Sequence, residues 1–454
     1  MINADNTANI ISKMWGISHM ERLLMNSLIK WKESKSRKPL IVKGVRQCGK
    51  TYLLKEFGEK YYEDVAYFNF EGNKALQQRF QNDLDVKRIV MELGILRNKV
   101  IEPNKTLIIF DEIQFCNNAL TSLKYFCEEL PDYHVVSAGS LLGIALSKPL
   151  SFPVGKVDLF TMRPMNFFEF LMAHNEKLLC NYLINLPASE KISDLFTDKL
   201  ENYIKMYYIT GGMPEAVAKW VNTQDIGAVE EIQQKILDSY ELDFAKHAPN
   251  NDYPKLSLIW RSIPEQLAKE NSKFIFSQVK KGFRAKDLED ALEWLISAGL
   301  VYKVEKIEKP FMPLSAYANQ TYFKLYMVDI GLLRKLSRLP AQAILEKTDT
   351  FKEFKGALTE NYVLCELVNN QNNIPYYWKS KNIAEVDFVV QFGMHIVPIE
   401  VKSERNLKAK SLAEYIKQYK PDISIKTSMR NISGKEVRII PLYMLWKIDK
   451  IVGE

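Results

Sequence analysis

Short apolar runs alternating with helical periodicity organise the first third of the chain. Pro39-Leu40-Ile41-Val42, Val65 to Phe70, Thr106 to Phe110, His134 to Ala138 and Val157 to Met162 each read as a buried strand. Met20 to Trp31 places Leu23, Leu24, Leu28 and Trp31 near helical spacing, and Tyr52 to Phe57 reads as the helix after the first strand. Strands separated by helices predict an α/β fold with a mostly parallel sheet. Phe167 to His174 opens an aromatic-rich helical stretch, and Gly211-Gly212-Met213-Pro214 marks a turn within a helical block ending near residue 245. Further on, Tyr253 to Ala268 suits a helix and Phe276 to Val279 a short element. Lys286 to Ser297 aligns Leu288, Ala291, Leu292, Leu295 and Ile296 on one face. Gly299 and the strand-like Val301-Tyr302-Lys303-Val304 follow, an order that predicts a winged helix-turn-helix.

Chemistry enters between the first strand and its helix. Gly44-Val45-Arg46-Gln47-Cys48-Gly49-Lys50-Thr51 fits the phosphate-cradling P-loop. Its glycines let backbone N–H groups face a phosphate, and the helix that follows adds positive potential there. Lys50 is expected to reach the β- and γ-phosphates of ATP, and the Thr51 hydroxyl to ligate Mg²⁺. The strand Thr106 to Phe110 ends in Asp111-Glu112, the Walker B arrangement: Asp111 would hold the Mg²⁺ shell and Glu112 would polarise the attacking water. Taken alone, those two acids also suit a surface turn. Ser140, at the end of another apolar strand, has two readings, a sensor of the γ-phosphate or an N-cap before Leu141-Leu142. Lys50, Asp111 and Ser140 all fall beyond the carboxyl ends of strands, where such sheets bind ligands.

A different chemistry lies near the C-terminus. Gly356 to Leu367 is a helical pattern containing Glu360. Glu385 to Val390 and His395 to Ser403 read as consecutive strands, the first carrying Asp387 and the second Glu400 and Lys402 on one face. Two carboxylates and a lysine gathered at one spot suit a metal-dependent phosphodiesterase. The same spacing equally suits a salt-bridged hairpin in which Lys402 answers Glu400 or Asp387.

Composition narrows the picture. At 454 residues the chain is expected to hold two to four domains, and 47% hydrophobic with 26% charged residues describes an ordinary globular protein. No apolar run is long enough for a membrane helix, no leader peptide is read at the N-terminus, and no membrane partner is expected. Five scattered cysteines without a Cys-x-x-Cys pair argue against a disulfide framework or zinc site, and point to the reducing cytoplasm. The net charge of +7 permits DNA binding without requiring it. Lys280, Lys281, Arg284 and Lys286 cluster where a recognition helix would begin, either as phosphate contacts or as a solvated turn.

The motifs in order, the P-loop with Arg46-Gln47, Asp111-Glu112-Ile113-Gln114, Ala138-Gly139-Ser140, Gly211-Gly212-Met213-Pro214-Glu215 and Phe323 to Leu333, resemble a family. It is the group of prokaryotic AAA-type ATPases that pair an N-terminal ATPase core with an uncharacterised C-terminal domain. The resemblance runs from Met20 through nearly the whole chain. It implies binding of ATP or ADP, hydrolysis, and a role tied to DNA or to regulation. The family's C-terminal domain is similar to the PD-(D/E)xK nuclease fold, whose motif Asp387, Glu400 and Lys402 match, with Glu360 on the preceding helix. AAA-type ATPases commonly take an arginine finger from a neighbouring subunit; Lys156, Arg163 and Arg46 are the candidates here, none is assigned, and the partner is either a second copy of the chain, as a homo-oligomer, or a regulatory protein. The expected fold is α/β: a P-loop NTPase parallel-sheet core at 20–175 after an extension at 1–19, a helical lid at 176–245, a winged-helix-like domain at 246–335 and a small nuclease-like α/β domain at 336–454. The leading reading is an ATPase that couples nucleotide state to the nuclease-like module, acting on DNA; the competing one is a slow nucleotide-dependent regulatory switch that binds a partner, with an inactive nuclease-like binding module.

Overall fold

The computed structural model describes residues 21–81, 83–140, 142–143, 153–188, 190–249, 252–269, 273–346, 352–380, 384–404, 410–434 and 436–453. The expected disordered extension at 1–19 lies outside the described residues. The first sheet holds β1 (Leu40–Lys43), β2 (Asp64–Asn69), β3 (Thr106–Asp111), β4 (His134–Gly139) and β5 (Asp158–Thr161) in the order β2-β3-β4-β1-β5. Every neighbouring pair is parallel. Sandwiching helices explain the unbroken apolar runs: Leu107, Ile108, Ile109 and Phe110 are fully buried. Phe110 meets Phe70, Phe80 and Phe126 on one face of the sheet. Trp31, Phe57, Tyr62 and His134 pack as a second aromatic cluster.

Register decides where chemistry collects. Lys43 pairs with Gly139 and Asn69 with Asp111, so β1, β3 and β4 end side by side at one rim. The residues that follow, the P-loop, Glu112 and Ser140, therefore meet there.

The helical block comprises Phe167–Ala173, Lys177–Asn185, Asp194–Thr210, Pro214–Thr223 and Ile226–His247. The first is started by a capping box: the Glu169 N–H donates to Asn166 Oδ1 while the Asn166 N–H donates to Glu169 Oε2. Helices Tyr253–Leu267, Phe276–Val279 and Ala285–Ser297 follow, and then β6 (Val301–Ile307) and β7 (Ala318–Met327).

The second sheet continues with β8 (Tyr376–Lys379), β9 (Glu385–Phe392), β10 (His395–Val401), β11 (Ser424–Ser428) and β12 (Val437–Pro441), in the order β12-β11-β10-β9-β8-β6-β7. The antiparallel β6–β7 pair, where a wing was expected, is thus one end of this seven-stranded sheet. Parallel pairing of Lys306 and Ile307 with Tyr377 and Trp378 makes the join. Hydrogen-bonded sheet therefore runs across the expected 335/336 boundary. The C-terminal part is also fastened to the helical block. Phe168 stacks on Trp446 at 4.1 Å between ring centroids, and the Lys447 ammonium donates to the Ile184 and Leu186 carbonyls at 2.8 and 2.7 Å. Among the described residues no helix is long and apolar enough to cross a membrane.

Candidate nucleotide site and a second acidic cluster

The P-loop links β1 to the helix Lys50–Tyr61. Gly49 precedes that helix in the left-handed region at φ 95°, a conformation L side chains rarely adopt. At Gly44 a Cβ would fall 2.0 Å from the Met162 carbonyl oxygen, so only glycine permits this approach. The Lys50 ammonium is buried, donating to the Gly44 and Val45 carbonyls of its own loop at 2.9 and 2.8 Å. Thr51 Oγ1 donates to Asp111 Oδ2 at 2.9 Å. Tyr67 donates to the same oxygen at 2.7 Å, and the Lys55 ammonium lies 3.8 Å above the Tyr67 ring. Burial and the Asp111 carboxylate together drive the Tyr67 phenol well above its usual range.

Glu112 follows β3 in the left-handed region at φ 50°, a sparsely populated conformation for a residue with a side chain. Its carboxylate accepts from the Gln114 amide and, at 3.2 Å, from Ser140 Oγ. The Ser140 hydroxyl, read as a γ-phosphate sensor or an N-cap, is thus engaged by Glu112.

The helical block closes over the loop. Arg46 Nη1 pairs with Asp243 Oδ1 at 2.5 Å, and the Tyr240 hydroxyl donates to the Arg46 carbonyl at 3.0 Å. A Cβ at Gly49 would lie 3.5 Å from Pro214 Cγ, which places the double-glycine turn against the P-loop. The turn is itself anchored: the Gly212 N–H donates to Asp329 Oδ2 at 2.6 Å. Asp329 is fully enclosed, and burial raises its carboxyl to about 6 against the pull of backbone N–H groups. Gln47 is exposed, and Val45 and Cys48 are buried. The candidate fingers are engaged within the chain, Arg46 as above, Arg163 with Asn372 Oδ1 at 2.7 Å and Lys156 with Glu128 at 2.9 Å.

The loop suits a magnesium nucleotide. A glycine-shaped backbone turn and a buried lysine fit phosphate, and a hydroxyl and carboxylate 2.9 Å apart form the hard oxygen pair that Mg²⁺ prefers.

The C-terminal residues also converge. The Val401 N–H donates to Asp387 Oδ2 at 2.7 Å, and Lys402 pairs with Glu400 at 2.8 Å. Burial, then the like charges of Glu360 and Glu400, push Asp387 well above the usual carboxylate range. Glu400 is also raised, by burial ahead of the opposing pull of Lys402, and its Oε2 is buried without a hydrogen-bond partner. Glu360 accepts from Tyr326 at 3.0 Å. A lysine that sequence reasoning missed completes the cluster. Lys324, 1% exposed on β7, lies 2.6 Å from Glu385 and 3.7 Å from Glu360. Its signal was present, a charge inside the apolar strand Phe323-Lys324-Leu325. Among the described residues no three His, Cys, Asp or Glu side chains are set to hold a metal ion. Lys402 pairs with Glu400 and the charge of Lys324 pulls on Asp387, so both carboxylates are faced by lysines.

Lys280, Lys281, Arg284 and Lys286 are all exposed. The exposed face of the helix Ala285–Ser297, however, also carries Glu289, Asp290 and Glu293.

Family comparison agrees with the first sheet and its rim. Residues 36–171 match the model of an AAA domain, so this part is similar to an AAA-type P-loop domain. Residues 201–343 match a domain of unknown function, DUF8612, and residues 355–445 match another, DUF4143. The chain is 25% identical over 418 residues to the uncharacterized protein MJ1544 of Methanocaldococcus jannaschii, covering 87% of this chain and 83% of the relative. Among solved structures, the Walker-type ATPase PABY2304 of Pyrococcus abyssi aligns with TM-score 0.45 and 14% identity over 70% of this chain and 95% of its own. The RuvB Holliday junction branch migration motor of Thermotoga maritima aligns with TM-score 0.29 and 14% identity over 67% and 90%.

Proposed function

We propose that the chain binds Mg²⁺ and ATP at the P-loop and hydrolyses ATP there. The observation that carries this reading is the shared hydrogen bond of Thr51 and Asp111 at the rim where the P-loop opens. Bound MgATP would supply the γ-phosphoryl group and a metal to spread its charge. Lys50 would exchange its two loop carbonyls for phosphate oxygens. Thr51 and Asp111 would hold the metal, with Tyr67 fixing the Asp111 carboxylate. Glu112 would orient water and accept its proton once released from Gln114 and Ser140. Catalysis is then positioning and electrostatics. The test is ATP binding and turnover by wild type, Lys50→Ala and Glu112→Gln. The proposal predicts loss of binding in the first and of turnover in the second; wild-type binding and turnover in both would overturn it.

A slow nucleotide-dependent switch is the second reading. It is favoured by the engagement of Glu112 by Gln114 and Ser140 and of Lys50 by its own loop. Turnover that rises when Gln114 is removed would select it.

For the C-terminal module, the convergence of Asp387, Glu400 and Lys402 supports the nuclease-like reading. The lysine-compensated cluster supports a binding module instead. Divalent-metal-dependent cleavage of DNA or RNA that disappears in Asp387→Ala would select the nuclease. Coupling of this module to nucleotide state would run through the turn held by Asp329. A DNA contact through the helix Ala285–Ser297 is opposed by its three exposed acids, so any DNA contact there would be confined to the basic turn before it.

A further inference from the structure

Arg22 has no place in the motifs, yet it is only 8% exposed and its guanidinium ties the P-loop to the segment after β5 and to the helix Phe167–Ala173. Nη1 donates to the Cys48 carbonyl inside the P-loop at 3.0 Å. Nη2 donates to the Arg163 carbonyl at 2.5 Å, and Nε pairs with Glu169 Oε1 at 3.1 Å. Glu169 also accepts the Leu23 N–H at 2.7 Å and forms the capping box with Asn166. A Cβ at Gly49 would lie 3.9 Å from Arg22 Nη1, so the charge rests directly against the loop.

The geometry matters because a trans peptide sets its carbonyl and the following N–H in opposite directions. Holding the Cys48 carbonyl on one side fixes the Gly49 N–H on the other. Gly49 sits at φ 95°, so this peptide also sets the turn into the helix Lys50–Tyr61. A buried guanidinium is costly unless paired and fully hydrogen-bonded, and Glu169 and the two carbonyls provide that compensation. A lysine could not reproduce the three-way fork.

We infer that Arg22 is a positioning residue for nucleotide binding, holding the Cys48–Gly49 peptide in its phosphate-facing orientation. The inference rests on the reading of the P-loop as a nucleotide site. Its test is the affinity of a fluorescent ATP analogue, measured by anisotropy on the full chain with Mg²⁺, for wild type, Lys50→Ala, Arg22→Ala and Arg22→Lys, with thermal melting without nucleotide. Arg22→Ala is expected to bind roughly ten- to a hundredfold more weakly, as for loss of a charge-assisted hydrogen bond. Millimolar guanidinium should restore part of that affinity where the same concentration of sodium does not. Arg22→Lys should bind at an intermediate level. Arg22→Ala that melts as a folded protein and binds like wild type overturns the inference. If Arg22→Ala does not fold, Arg22→Lys decides. Reduced affinity at wild-type melting temperature supports the positioning role, and wild-type affinity with reduced melting temperature overturns it. Wild type indistinguishable from Lys50→Ala would overturn the nucleotide reading, and the inference with it.

Discussion

Glu366 gives the prediction whose size is set most directly by the structure. It lies on the helix Lys352–Gln371, fully buried, with Oε1 accepting the Phe167 N–H at 2.8 Å and Oε2 without a partner. Burial, aided by nearby Glu169 against the pull of the Phe167 N–H, raises its carboxyl from 4.5 to about 8. At neutral pH it is therefore protonated in the folded chain and ionised in the unfolded one. Its contribution to stability is fully present below pH 4.5 and is lost as pH rises through about 8. Between pH 6 and 8 the loss should be about 2 kcal/mol, from 1.4 kcal/mol per unit with rounding near the folded value. Glu366→Gln keeps a carbonyl acceptor for Phe167 and removes the titration. Urea unfolding of both proteins across this range, compared as a difference at each pH, isolates the effect from other groups that titrate. The variant's stability should rise relative to wild type by that amount between pH 6 and 8. Parallel curves would refute the claim that Glu366 is held neutral.

Other expectations follow from the same packing. Tyr67→Phe removes one of two hydroxyl donors to Asp111 and should weaken Mg²⁺-dependent nucleotide binding about fivefold, about 1 kcal/mol, as read by titration. Asp329→Asn turns amide protons toward the Gly212 or Leu332 N–H and should cost about 1–3 kcal/mol in urea unfolding. Lys324→Met removes the buried cation between Glu360 and Glu385, leaving Glu385 with Lys379 and Glu360 with Tyr326, and should lower stability by about 1–3 kcal/mol at pH 7, with part of the loss recovered in acid.

The parts of this fold that sequence made legible are those written locally. Five apolar runs became the parallel sheet, and the glycine spacing with the acids at the end of β3 marked the rim where the P-loop, Glu112 and Ser140 meet. The convergence of Asp387, Glu400 and Lys402 was legible because strand alternation sets faces two residues at a time. What stayed hidden depends on distant pairing. The junction of β6 with β8 joins residues about seventy apart and leaves no local pattern, so the strands read as a free wing. Arg22 meets partners 26, 141 and 147 residues away, and nothing in its neighbourhood separates it from a surface arginine. Gln114 stood in a recognised motif, but its hold on Glu112 follows from a left-handed turn that sequence does not show.

The most direct test of the central claim is calorimetric titration of the purified full chain with ATP, with and without Mg²⁺, beside Lys50→Ala and Asp111→Asn. The account predicts one site that Mg²⁺ strengthens, loss of binding in Lys50→Ala, and retained but Mg²⁺-insensitive binding in Asp111→Asn. Binding that is equal in all three proteins, or no binding by wild type, would contradict it.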